Sequence, residues 1–149
     1  MQIEIPESLK KLAKKFPCEL YIVGGYIRNL IMDIEKDDID ICSSLTIEAV
    51  EKLLEGSQFS VKIKSKALGS CIISFKDEKF EYTTFRKDFY APGGQHLPEK
   101  VQFIEDVRED AKRRDFTCNA IYYDIKNDKI LDFYNGIDDI KRRVLKTVE

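Results

Sequence analysis

The spacing of apolar positions changes along the chain, and each spacing predicts an element. Leu9, Leu12, Ala13 and Phe16 recur at i, i+3, i+4 and i+7 behind Pro6 and Ser8, a short amphipathic helix stopped by Pro17. Glu19 to Val23 (ELYIV) reads as a strand, Gly24-Gly25 breaks it, and Tyr26 to Met32 is apolar enough for a buried helix. Asp33 to Asp40 (DIEKDDID) is strongly acidic, and within it Asp38 to Cys42 alternates as a strand does. Thr46 to Glu55 puts Ile47, Val50, Leu53 and Leu54 on one helical face. Phe59 to Ile63, Cys71 to Phe75 and Lys79 to Phe85 read as strands, the last two joined by the turn Lys76-Asp77-Glu78. Lys87 to Lys100 (KDFYAPGGQHLPEK) reads as one long Pro- and Gly-rich loop, a length often used for lids and substrate loops. Glu105 to Arg114 is charged and helix-compatible. Ala120 to Ile125 and Lys129 to Phe133 flank the turn Lys126-Asn127-Asp128, and Gly136 to Arg143 closes the chain as a short helix. Helices and strands interleave and hairpins are frequent. The expectation is one α+β domain over residues 1–149, with helices packed on a mixed sheet of about five strands.

Composition narrows the class. At 149 residues, 43% hydrophobic and 35% charged, the chain can bury a core and is not globally disordered. Lys plus Arg is 25 and Asp plus Glu 27, a formal charge of -2, so any RNA contact must be local rather than a matter of bulk charge. Cys18, Cys42, Cys71 and Cys118 form no CxxC pair, and the N-terminus carries no leader pattern. Together these predict a reduced, cytoplasmic protein. The apolar runs are too short for a membrane span. A single histidine, His96, rules out a His-rich metal site.

Four places carry candidate chemistry. Asp38 and Asp40 lie two apart on a strand and so share a face, roughly 7 Å apart along the chain, with Ile39 and Ile41 turned to the core. Such a pair can clamp Mg²⁺, which prefers oxygen ligands, although an isolated D-x-D is more often a solvated strand edge. Asp37 adds acidity but points away from the pair. Gly24-Gly25, between strand and helix, can present backbone N–H groups to a phosphate, with Arg28 one turn further on. The alternative is a tight turn followed by a surface arginine. In Phe80 to Arg86 (FEYTTFR), Glu81 and Thr83 fall on one face and Phe80, Tyr82 and Thr84 on the other. Glu81 is a candidate third carboxylate or an exposed strand residue, and Arg86 a candidate phosphate contact. In Arg113 to Ala120 (RRDFTCNA), paired arginines suit phosphate, while Asp115, Thr117 and Asn119 also suit capping and turns. Lys112 to Arg114 and Lys141 to Arg143 are compact basic clusters, equally suited to a solvated face or an RNA contact. Neither G-x-x-x-x-G-K-[ST] nor G-x-G-x-x-G occurs.

In order and context these motifs say more than they do singly. The series strand–Gly24-Gly25-x-x-Arg28, Asp38-x-Asp40, FEYTTFR and RRDFT-x-NA closely resembles the head domain of the class II tRNA nucleotidyltransferase and bacterial poly(A) polymerase family, from about Leu20 to the C-terminus. RRDFT-x-NA is its most specific part. Tyr90 to Gln95 (YAPGGQ) with Pro98 and Val101 is similar to the CCA-adding branch. The resemblance implies a nucleotidyltransferase (polymerase-beta-like) palm. In it, Asp38 and Asp40 are the catalytic, metal-holding aspartates, with Glu81 a further candidate ligand and two Mg²⁺ ions as cofactors. It implies nucleotide binding by Gly24, Gly25 and Arg28 at the triphosphate and by Arg114 and Asp115 near the phosphates and ribose hydroxyl. Arg86 and Asn119 are further candidate nucleotide contacts.

The implied reaction is attack of a tRNA 3′-hydroxyl on the α-phosphate of CTP or ATP with release of pyrophosphate, completing CCA. A poly(A) polymerase or A-adding head is the alternative. A non-catalytic nucleotide- or RNA-binding module is a third reading, favoured for an isolated head. Two positions depart from the family. Arg28-Asn29 stands where it has R-D, and Leu30-Ile31 runs into Met32-Asp33 where it has L-L-G. Family members continue into a neck with a Glu-Asp-x-x-Arg base-reading motif, then a body and tail that hold tRNA. This chain stops at Glu149, where a head would end, so base selection and most tRNA binding are expected to lie outside it.

Overall fold

The computed structural model describes residues 3–34, 38–93 and 98–148. In chain order its elements are α1 (Glu7–Lys15), β1 (Tyr21–Val23), α2 (Gly25–Met32), β2 (Ile39–Ser43), α3 (Ile47–Leu54), β3 (Ser60–Ser65), β4 (Ser70–Phe75), β5 (Glu78–Thr84), β6 (Arg86–Phe89), β7 (Lys100–Phe103), α4 (Val107–Ala111), a 3-10 turn (Thr117–Asn119), β8 (Ile121–Asp124), β9 (Lys129–Asp132) and α5 (Gly136–Lys141). Seven strands form one sheet in the order β3-β4-β5-β2-β1-β8-β9. β2 and β5 run parallel, and the other neighbours antiparallel. The sheet is thus wider than the five strands expected. All seven segments read as strands join it, because the hairpins β3-β4-β5 and β8-β9 extend it at both edges.

Local chemistry sets the ends of the helices. Phe16 leaves α1 with φ -75° and ψ 135°, the extended conformation that a following proline imposes. The Thr46 hydroxyl caps α3 by accepting the Ala49 N–H at 3.2 Å. Asp33 ends α2 with φ 55°, a left-handed cap at the segment where the chain departs from L-L-G.

β1 is buried on both faces, which explains its unbroken apolar run. On one face Ile22 aligns with Ile41 and Tyr123, and with Tyr82 and Cys71 beyond, under Leu9, Leu12 and Phe16 of the α1 segment and Ile47, Val50 and Leu54 of α3. Deep in this layer the Tyr82 hydroxyl donates to Leu45 O at 2.6 Å, and the Ser43 hydroxyl lies 2.6 Å from the same phenolic oxygen. On the other face a smaller cluster of Tyr21, Val23, Cys42, Phe85, Ala111 and Tyr122 packs under α4. This second face is only partly covered, and the candidate site lies on it.

The segment expected as a single loop from Lys87 to Lys100 is instead a two-stranded ribbon, with Arg86 opposite Phe103 and Phe89 opposite Lys100. Its charged and aromatic residues alternate without an apolar face, so the Pro-Gly stretch between them dominated the sequence pattern. Gln95 and His96, and Asp37 in the acidic segment, lie outside the described residues. The helix expected over Glu105 to Arg114 is shorter. Asp106 caps α4 by accepting the Arg108 N–H at 2.9 Å, and α4 ends at Ala111.

Candidate active site

The Gly24-Gly25 turn lies beside Asp40 of β2. β1 delivers Val23 opposite Asp40, and Gly24 then turns the chain into α2 with φ 84° and ψ -143°. A Cβ at Gly24 would stand 3.4 Å from Asp40 Oδ2, so the bare glycine lets the turn pass beside that carboxylate without a side chain between them. The Arg28 N–H closes the first helical bond onto Gly24 O at 3.2 Å. The N–H groups ahead of it have no partner within the helix, and the helix dipole adds partial positive charge there.

On its other side Asp40 aligns with Glu81 of β5, giving a row Val23–Asp40–Glu81 across three strands. Glu81 is half-exposed and accepts the Lys64 ammonium at 3.1 Å, a surface pair of small energetic weight. Asp38 stands one residue ahead of β2 and is exposed. Among the described residues no group of three or more His, Cys, Asp or Glu side chains is arranged to hold a metal ion. Glu81 is therefore not gathered with the two aspartates into a three-ligand centre. The donor set that remains, carboxylate oxygens beside an open turn, still fits Mg²⁺, which is held by one or two carboxylates and completed by phosphate and water.

Facing this row is a set of arginines. Asp40, Glu81, Lys64, Arg86, Arg113 and Arg114 line a cleft of about 220 Å³. Arg86 is fixed by Asp88, Nε to Oδ1 at 2.7 Å, and by donation from Nη1 to Leu68 O at 3.1 Å. Arg113 and Arg114 both bind Asp110, a residue that carried no assignment in the sequence. Arg113 Nε donates to Asp110 Oδ1 at 2.9 Å and Arg114 Nη2 to Oδ2 at 3.1 Å. Asp110 sits three and four residues before the two arginines, the spacing at which helical side chains meet, and that signal could have revealed it. Burial alone would raise the Asp110 pKa. The charges of Arg114 and Arg113, with hydrogen bonds from Tyr122 and the Arg86 N–H, hold it below the usual carboxylate range. Burial raises the pKa of the neighbouring Cys42 thiol, keeping it neutral.

The remaining residues form a second group. Arg28 Nη1 donates to Asn119 Oδ1 at 3.0 Å, and Asn119 Nδ2 to Asp115 Oδ1 at 3.3 Å, so Arg28 ties the RDFT-x-NA turn to α2. Arg28 Nε also donates to Asn29 Oδ1 at 3.0 Å, a neutral partner where the family has aspartate. The turn is clamped from behind. The Thr117 hydroxyl donates to Asp139 Oδ2 at 2.6 Å, Phe116 pairs with Thr147, and the Thr117 N–H donates to Lys146 O at 2.9 Å.

The ten predicted site residues therefore do not share one cavity. Asp40, Glu81, Arg86 and Arg114 line the carboxylate cleft. Arg114 also borders a neighbouring hollow with Arg113, Asp115, Asp88 and Tyr90. Arg28 and Asn119 rim a third recess, an apolar groove walled by Met32, Ile34, Val144 and Leu145. That groove had no sequence signal, because its apolar residues come from separate segments.

Known proteins resemble this chain over most of its length. A family model described as the poly A polymerase head domain matches residues 20–146. The CCA-adding enzyme of Staphylococcus epidermidis is 36% identical over 152 residues, 99% of this chain and 36% of that protein. That of Staphylococcus aureus is 39% identical over 132 residues, 87% of this chain and 31% of that protein. The crystal structure of the Bacillus stearothermophilus CCA-adding enzyme in complex with CTP superposes with a TM-score of 0.80 at 28% identity, covering 95% of this chain and 33% of that one. The chain spans about a third of the length of these relatives. A Gly-Gly turn against a strand aspartate, an RDFT-x-NA turn docked on the same helix, and a match over most of the sequence lead to one conclusion: the chain belongs to the poly A polymerase head domain family.

Proposed function

We propose that this chain is the catalytic head of a template-independent tRNA nucleotidyltransferase that adds CCA to tRNA 3′ ends from CTP and ATP. The observation that supports the reading is the closeness of the Gly24 turn to Asp40: a helix N-terminus of the kind that suits phosphate lies beside a strand carboxylate of the kind that suits Mg²⁺. Asp38 and Asp40 would hold Mg²⁺. When bound, the ion would offset charge on the triphosphate and favour the ionised form of the attacking hydroxyl. The chain's own part is to bind and orient. The Gly24-Gly25 turn and the α2 N-terminus receive phosphate oxygens. Arg86, Arg113 and Arg114, which line the cleft that holds Asp40, would stabilise charge that builds up on the departing pyrophosphate. Asp115 and Asn119, steadied by Arg28, orient the sugar.

Base selection and most of the tRNA contact are assigned to a neck, body and tail; this chain spans 36% of the Staphylococcus epidermidis relative. Four free cysteines, three of them buried, suit a reduced cytoplasmic setting, and among the described residues no helix is long and apolar enough to cross a membrane. The family description also names poly(A) polymerase, while the relatives named above are CCA-adding enzymes.

The test is a chimera in which this chain replaces the matching third of the Staphylococcus epidermidis enzyme. It is incubated with tRNA lacking its terminal CCA, and the products are sequenced. Added cytidine and adenosine, abolished by Asp40→Asn, support the proposal. Adenosine alone would indicate A addition. A folded, tRNA-binding chimera that adds nothing would favour a binding module.

A further inference from the structure

We infer that Asp110 is a positioning residue for polyphosphate binding: it fixes Arg113 and Arg114 side by side on the wall of the Asp40 cleft before any ligand arrives. The inference rests on the nucleotidyl-transfer reading of that cleft and adds a residue to it.

Asp110 is fully buried and accepts four hydrogen bonds, the full capacity of a carboxylate. Oδ1 takes the Arg86 backbone N–H at 3.0 Å and Arg113 Nε at 2.9 Å. Oδ2 takes Arg114 Nη2 at 3.1 Å and the Tyr122 hydroxyl at 2.6 Å. One carboxylate therefore joins α4, the base of the β6–β7 ribbon, β8 and both arginines. The arginine side chains are only 13% and 15% exposed, and both line the cleft that holds Asp40.

The energetics argue against a purely structural role, since replacing a buried ionic cluster by an apolar set of the same volume is often neutral or stabilising. The two guanidinium groups instead line the cleft that holds Asp40 and Glu81, where a metal-bound polyphosphate would bring negative charge. Asp110 takes a single N–H from each guanidinium and Tyr122 Oη accepts Arg114 Nε at 3.3 Å, so an anion can be met by the remaining N–H groups of each planar fork without displacing Asp110. Arginines already locked in place lose less freedom on binding.

Two measurements on this chain test the inference. The first compares wild type, Asp110→Asn, Asp40→Asn and Leu54→Ala, the last a core truncation in α3 on the opposite face of the sheet. Affinities for Mg·CTP and for tripolyphosphate, which has neither base nor sugar, are measured by calorimetry at a temperature where each variant is folded. Asp110→Asn is expected to weaken both ligands by about tenfold or more, while Leu54→Ala, however much it lowers Tm, leaves both within about twofold. Wild-type affinity in Asp110→Asn, or an equal loss in Leu54→Ala, overturns the inference.

The second needs no variant and holds even if Asp110→Asn does not fold. In the wild-type chain the Nε–Hε NMR signals of Arg113 and Arg114 are expected to be dispersed and slow to exchange without ligand. Signals that match free arginine and sharpen only when Mg·CTP is added would overturn it. Unchanged Mg·CTP binding in Asp40→Asn would instead reject the nucleotidyl-transfer reading, while the tripolyphosphate and NMR results would still judge Asp110.

Discussion

Replacing Gly24 with alanine separates two consequences of the turn. At φ 84° and ψ -143°, Gly24 occupies a region that side chains rarely enter. Forcing alanine there costs roughly 1–3 kcal/mol. For a domain of this size a loss of ~2 kcal/mol lowers Tm by about 4–8 °C. The second consequence is local. The new methyl would stand 3.4 Å from Asp40 Oδ2, an ordinary packing distance. It does not clash, but it occupies the space that a metal on that oxygen and its water ligands would need, since Mg²⁺ sits about 2.1 Å from a carboxylate oxygen and keeps several waters. Gly56 supplies the control. It has φ 74° with nothing within 4 Å, so Gly56→Ala carries backbone strain away from Asp40. The assay pairs thermal melts with Mg·CTP titrations of both variants. Both should lose stability, and Gly24→Ala alone should lose affinity, by about tenfold or more, equivalent to ~1.4 kcal/mol. Equal, near-wild-type affinities in the two variants would refute the link between turn and carboxylate.

Three further outcomes follow from particular contacts. A Cβ at Gly136 would overlap the Thr117 carbonyl, 2.8 Å from its carbon and 3.0 Å from Ile121 Cγ1. Urea unfolding of Gly136→Ala should show a loss of about 1–3 kcal/mol, the usual range for overpacking. Asp33→Gly should raise stability by about 0.5–1 kcal/mol, because it relieves a left-handed cap and removes a negative charge from the negative end of α2. The depressed Asp110 pKa gives a stabilisation that is complete above the unfolded-state value near 4 and fades as pH falls through the folded value. The stability gap between wild type and Asp110→Asn should therefore stay constant from about pH 5 to 8 and shrink in more acidic solution.

Much of the fold could be read from periodicity, because burial on one face leaves a period-two or helical trace. β2 and β5 are examples: Ile41, Phe80 and Tyr82 are buried while Asp40 and Glu81 face the cleft. Sheet width was harder to read, since nothing local tells a strand how many neighbours it will have. The β6–β7 ribbon was hidden because it packs through Gly69 rather than through an apolar face. The Phe103 ring lies so close to Gly69 that a Cβ there would be 2.5 Å from it. Within the site, Gly24, Arg28, Asp40, Asp115 and Asn119 were visible as motif residues. The partners that hold them were not. Asp110 is one acid among several in a charged segment and Asp139 one in a short closing helix, and burial of a carboxylate has no signature in composition. The charge of the Arg113-Arg114 pair suits a phosphate, an RNA contact or a solvated face alike, and its pairing with the buried Asp110 is visible only in the structure.

The most direct measurement is a calorimetric titration of CTP into this chain, with and without Mg²⁺, repeated with Asp40→Asn. Binding that requires Mg²⁺ and disappears in the variant, with ATP, GTP and UTP behaving like CTP, is the expected result. It would locate the triphosphate site at Gly24 and Asp40 and leave base selection to regions outside this chain. Binding that ignores Mg²⁺ and survives Asp40→Asn would contradict the assignment of this cleft as a nucleotidyl-transfer site.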